Sequence, residues 1–145
     1  MKTKAFLFKR KPKSVQSSTK SKYQEYLRDA YNEYCNSDEF ETSPLYGKVY
    51  YFHRENTQLD ADNLSKPVWD ALEGLAYEDD SVIKLRHAGI IDLRETDMEL
   101  FDLSLIPDNV ANSFLDMVGS ENHILYIELG RLRNDMIFFG ERTLL

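Results

Sequence analysis

Apolar and polar positions change their spacing along this chain, and each spacing predicts an element. Residues 4–9, KAFLFK, alternate weakly and predict a first strand. A basic, serine-rich loop follows, KRKPKSVQSSTKSK, with Pro12 as a breaker. Tyr23, Leu27, Ala30, Tyr31 and Tyr34 then recur at helical spacing and predict a helix over 20–35, capped by Ser18, Thr19 or Ser21. The polar stretch CNSDEFETSP carries the chain to a second strand.

That strand, LYGKVYYFHREN, has period two. Leu45, Gly47, Val49 and Tyr51 fall on one side; Lys48, Tyr50, Phe52 and Arg54 fall on the other. Leu64, Val68, Ala71, Leu72 and Leu75 next share one helical face. Pro67 belongs near a first turn, which places the helix start between Asp62 and Lys66. SVIKLRHAGIIDL and HILYIELG predict two more strands. Between them Val110, Phe114, Leu115 and Val118 form the stripe of a helix after Pro107. With no repeat and no linker, this order predicts one α+β domain over 1–145, its helices covering one face of a small mixed sheet.

Charge adds an asymmetry. The net charge is −7, yet residues 1–24 hold eight Lys or Arg and no acid, so the remainder sums to −15. From Asp92 to Asn122 eight acids face one base, Arg94, which marks 94–122 as an acidic insertion and a candidate protein-docking segment. A basic arm on an acidic body suggests a polyanionic partner. Distant acids are screened beyond about 8 Å at physiological salt, so local charge decides. Four phosphate contacts would give a salt slope of about −3.6 per chain. No run of 18 apolar residues encodes a membrane span. The opening apolar run is too short for a signal peptide, and Cys35 is the only cysteine, so a cytoplasmic protein is expected.

The stretch DADNLSKPVWDALEGLAYEDD, residues 60–80, carries the candidate chemistry. Asp60 and Asp62 open the helix, while Asp79 and Asp80 follow it. A strand–helix–strand path is expected to bring the two pairs together. Converging carboxylates repel unless a cation relieves them. Mg²⁺ takes one or two protein carboxylates and shares its remaining shell with water and phosphate. Lys66, one turn after Asp62, is placed to meet a phosphate, and Asn63 to orient the acids. The blander alternative stays open, since Asp also caps helices and closes turns and Lys66 can pair with Asp70.

The joint pattern, an Asp-x-Asp-Asn opening a helix, a lysine four residues on, Asp-Ala-Leu near the helix end and a paired acidic turn entering a strand, resembles the RusA family of Holliday junction resolvases. The resemblance implies a Mg²⁺-dependent (Mn²⁺ a plausible substitute), homodimeric endonuclease that nicks a four-way DNA junction symmetrically. It implies Asp60, Asp62 and Asp80 as metal ligands, with Asp79 as the alternative third, and Lys66 as the functional lysine. It also implies that the loop after the first strand approaches DNA, here with Arg10, Lys11, Lys13, Lys20 and Lys22. The acidic insertion, the long tail after Gly130 and the acidic body depart from the family pattern.

Other features point less clearly. His53, His87 and His123 lack zinc-helix spacing. Cys35 reads as a small apolar residue rather than a nucleophile. Tyr23, Tyr26, Tyr31 and Tyr34 suit either base stacking or core packing. The tail's MIFF suits a partner surface or a last edge element. Competing functions are a non-catalytic DNA- or partner-binding module of the same fold, and a nuclease for another branched substrate.

Overall fold

The alternation in LYGKVYYFH becomes strand β2 (Leu45–His53), which sends Val49 and Tyr51 to one face of a sheet and Tyr50 and Phe52 to the other. The structure is a computed structural model describing residues 3–13, 20–35, 40–98 and 101–141. Around β2 run β1 (Lys4–Phe8), α1 (Lys20–Tyr34), α2 (Ala61–Leu72), β3 (Ile83–Asp92), α3 (Asp108–Val118) and β4 (His123–Arg131). The four-stranded sheet has order β1-β4-β2-β3. β4 is antiparallel to both β1 and β2, and β2 is parallel to β3. The expected small mixed sheet of a single α+β domain is what the chain forms.

The helices do not all share one face. α1 and α2 cover the side that carries Phe6, Val49, Tyr51, Leu125 and Ile127. α3 lies on the opposite side, where Val110 and Phe114 pack against Phe52, Leu7, Ile124 and Tyr126. An apolar stripe states that a helix must be covered, not which side of a sheet covers it. Leu115, expected in that stripe, is exposed.

α2 also starts earlier than Pro67 suggests. Asp60 caps it, with its side chain accepting from Asn63 N and its carbonyl from Leu64 N, and Pro67 sits buried in the second turn. Leu75 lies beyond the helix end at Leu72, partly buried against the same core. Gly47 explains how closely α2 approaches the sheet: a Cβ there would meet two Trp69 ring atoms at 2.6 Å. α1 and α2 run side by side in the same direction, since Gln24 Nε2 donates to Pro67 O and Arg28 Nη1 to Ala71 O, each pair 43 residues apart.

The half of the sheet that α3 leaves uncovered forms a groove of about 920 Å³, lined by Tyr50, Leu85, His87, Ile91, Phe101 and Phe138 among others. In its wall, buried Glu128 accepts from the Tyr46 and Tyr126 hydroxyls, with Lys48 at 3.9 Å.

Candidate active site

On α2 a spacing of four residues, about one turn, stacks exposed Asp62 and Lys66 and half-buried Asp70 along one stripe. The Lys66 ammonium donates to Asp70 Oδ1 at 2.6 Å and to Asp80 Oδ2 at 3.4 Å. The hydrogen bond to Asp70, with both acids' charges behind it, holds the Lys66 pKa above its usual range against a partial loss of solvation.

Beyond the helix, Gly74 takes φ +79, a left-handed turn that glycine adopts without strain. Its N–H donates to Tyr77 O at 2.7 Å, turning the chain back toward the helix end. Asp79 then caps a short 3₁₀ turn, Asp80–Val82, by accepting from Ser81 N. The Asp80 N–H donates to Glu73 Oε1 at 2.9 Å. Glu73, Asp79 and Asp80 thereby offer carboxylate oxygens that lie within 4.8 Å of one another.

From β3, Arg86 Nη2 donates to Asp80 O at 2.8 Å and stands 3.5 Å from Asp80 Oδ2. Burial disfavours the ionised Asp80, but Lys66 and Arg86 outweigh it and hold its carboxyl below the usual carboxylate range. Among the described residues, four acids, Asp70, Glu73, Asp79 and Asp80, thus exceed the two cations that pair with their carboxylates, Lys66 and Arg86, while Arg28 reaches only the backbone carbonyl of Glu73. This donor set of hard oxygens with surplus negative charge fits a divalent cation of the Mg²⁺ type.

The two aspartate pairs do not converge within the chain. Parallel pairing aligns Leu45 with Ile83 and His53 with Asp92, so the turn entering β3 lies at the opposite end of the sheet from the loop leaving β2. α2 spans the distance between them. From Asp60 to Asp70, whose carboxylate shares Lys66 with Asp80, ten residues rise about 15 Å along the axis. Asp60 spends one oxygen on its cap, Asn63 contributes the N–H of that cap, and Asp62 stays exposed one turn before Lys66. The structure therefore brings Lys66 to Asp80 and Asp79, adds Glu73, Asp70 and Arg86, and leaves Asp60 and Asp62 at the other end of the helix. Glu73 is signalled in sequence only by its place before Gly74 at a helix end.

The start of α1, where the basic loop ends, lies toward that other end. The 43-residue offset between α1 and α2 sets Lys20 and Lys22 alongside Asn63 and Ser65. Arg10 stacks over Tyr26 at 3.7 Å, and Lys9 pairs with Glu121 of the acidic segment at 3.6 Å. Lys11 is exposed and Lys13 half-buried. The cap candidates Ser18 and Thr19, and residues 99 and 100 of the acidic segment, lie outside the described residues.

The remaining candidates have structural surroundings. Cys35 is buried, donates to Ala5 O, and has its thiol pushed up to about 11 by burial. Tyr23 and Tyr31 are core residues. His53 is buried with Nδ1 on Glu55 O, and His123 joins the Tyr51 hydroxyl to Glu55.

Comparison with protein families matches residues 5–92 to the model of endodeoxyribonuclease RusA. The chain belongs to the RusA family. The matched span holds α2, the acidic turn, Lys66 and Arg86, while α3, β4 and the tail follow it. No curated protein matches the chain. RusA membership agrees with the mixed sheet and with the resolvase resemblance carried by residues 60–80.

Proposed function

We propose that this RusA-family chain is a divalent-metal-dependent endonuclease that resolves four-way DNA junctions by paired symmetric nicks, in recombination, repair or phage DNA processing. The observation that carries the reading is the Lys66–Asp80 contact beside Glu73 and Asp79, inside the motif of the family match. Asp80, with Glu73 and Asp79, would hold Mg²⁺ or Mn²⁺. Such an ion, once bound, supplies Lewis-acid polarisation of a phosphoryl oxygen. Asp60 and Asp62 enter the proposal on the family pattern alone.

The chain's own groups then have distinct tasks. Lys66 stays protonated at neutral pH and presents its ammonium toward phosphate at the mouth of the acid cluster. Asp80 stays ionised, because Lys66 and Arg86 favour its charged form. Arg10, Lys11, Lys13, Lys20 and Lys22 would bind the DNA backbone. A strand lying along the exposed stripe of α2 would run from these bases past Asp62 to Lys66 and Asp80. No described helix is long and apolar enough to cross a membrane, and we place the action in the cytoplasm.

Paired nicks on a two-fold junction call for two sites related by the same symmetry, hence a homodimer. The partly uncovered sheet face, with Phe138 half-exposed and Phe139 almost wholly exposed beside it, is the candidate surface for the second copy. The test is nicking of a synthetic four-way junction, a flap and a plain duplex, each with Mg²⁺ or EDTA. Symmetric, Mg²⁺-dependent cuts on the junction alone are expected. Cutting of flaps in preference would move the substrate. Junction binding without cutting in either Mg²⁺ or Mn²⁺ would leave a binding module.

A further inference from the structure

We infer that Arg86 is a positioning residue of the cutting centre, holding Asp80 at the angle the cluster needs; this rests on the nuclease reading above. Asp80 opens a turn of only three residues, Asp80–Val82, closed by a single backbone hydrogen bond from Ile83 N to the Asp80 carbonyl. Its peptide is gripped at both ends. Glu73 accepts from its N–H at 2.9 Å, and its carbonyl accepts from Ile83 N and from Arg86 Nη2, the latter at 2.8 Å. The same Nη2 stands 3.5 Å from the Asp80 carboxylate. Arg86 thus ties backbone and side chain of one residue together. Its own backbone lies in β3, opposite Gly47 of β2, which supplies a rigid anchor.

Lys66 alone does not do this. Its ammonium sits 2.6 Å from Asp70 and 3.4 Å from Asp80, so Asp70 is its closer partner. Without Arg86, Lys66 would stay with Asp70, and the Asp80 carboxylate would be free to turn away from those of Glu73 and Asp79, while its backbone kept the bonds to Glu73 and Ile83. A partner that orients a metal ligand typically changes affinity or activity by about 10–100-fold when removed. Arg86 reaches Asp80 through a single nitrogen, so the ammonium of a lysine replaces much of the contact.

The test titrates Mn²⁺ into wild type, Arg86→Gln and Arg86→Lys without DNA, by calorimetry, and measures single-turnover nicking at saturating junction. Junction binding in EDTA is the control. Arg86→Gln should weaken Mn²⁺ binding and slow nicking at least about tenfold, with the junction Kd moving less than about twofold and the thermal midpoint nearly unchanged. Arg86→Lys should recover most of both losses. Unchanged Mn²⁺ affinity in Arg86→Gln overturns the inference. Loss of junction binding with Mn²⁺ binding intact also overturns it, and makes Arg86 a DNA contact instead. A wild type that neither binds Mn²⁺ nor cuts contradicts the nuclease reading itself, so the two failures are told apart.

Discussion

The ammonium of Lys66 is shared between two carboxylates that are ten residues apart in sequence, Asp70 at 2.6 Å and Asp80 at 3.4 Å. This one contact joins the middle of α2 to the turn that enters β3. On the proposed reading, it places a positive charge where a metal-bound phosphate would need one.

Lys66→Gln should therefore separate catalysis from stability. Exposed ion pairs contribute at most about 1 kcal/mol to folding, whereas removing a donor that stabilises transition-state charge costs about 10²–10³ in rate. Single-turnover nicking is expected to fall about a hundredfold while the urea midpoint barely moves.

Gly47→Ala should do the opposite. The new Cβ would stand 2.6 Å from two ring atoms of Trp69, a residue with no exposed surface. Overpacking of this kind costs about 1–3 kcal/mol. Trp69 is the only tryptophan, so its fluorescence reports the unfolding directly, and a lower urea midpoint with an unchanged slope is expected.

At the other end of β3, Asp92 accepts from Arg94 N, Nε and Nη2, which lowers its carboxyl pKa from 3.8 to about 2. A depressed carboxylate stabilises the fold above its ordinary pKa, and that contribution is lost as pH falls through the folded value. Urea midpoints should show wild type more stable than Asp92→Asn at pH 5. The difference should shrink between about pH 4 and 2, and it should be small because the site is exposed. A gap independent of pH would contradict this origin.

Neutralising Lys11 and Lys13 together should weaken junction binding and flatten its salt dependence. Two lost phosphate contacts reduce the slope of log K against log salt by about 1.8. Gel-shift titrations between low and physiological salt measure it; an unchanged slope would place these lysines away from DNA.

Much of this architecture was legible in the chain. Period two in LYGKVYYFH and the helical stripe of Leu64, Val68, Ala71 and Leu72 name their elements because burial imposes those spacings. The side taken by α3 was not legible, since Val110 and Phe114 fit either face of a sheet. At the acid cluster, Lys66 and Asp80, both singled out by the motif, are in contact. Glu73 was not legible, because it reaches Asp80 only through the left-handed turn at Gly74 and the return past Tyr77. The expected meeting of Asp60 and Asp62 with Asp80 fails for a reason the sequence already held. A helix of 12 residues between parallel strands keeps its two ends about 18 Å apart.

Asp80 is where the motif, the acid cluster and both cations coincide, so Asp80→Asn is the most direct test. Wild type and Asp80→Asn are compared on one labelled four-way junction, with binding measured in EDTA and nicking started by Mg²⁺. Equal binding with nicking lost in the variant is the predicted result. Full nicking by Asp80→Asn would contradict the placement of the cutting centre at the turn between α2 and β3.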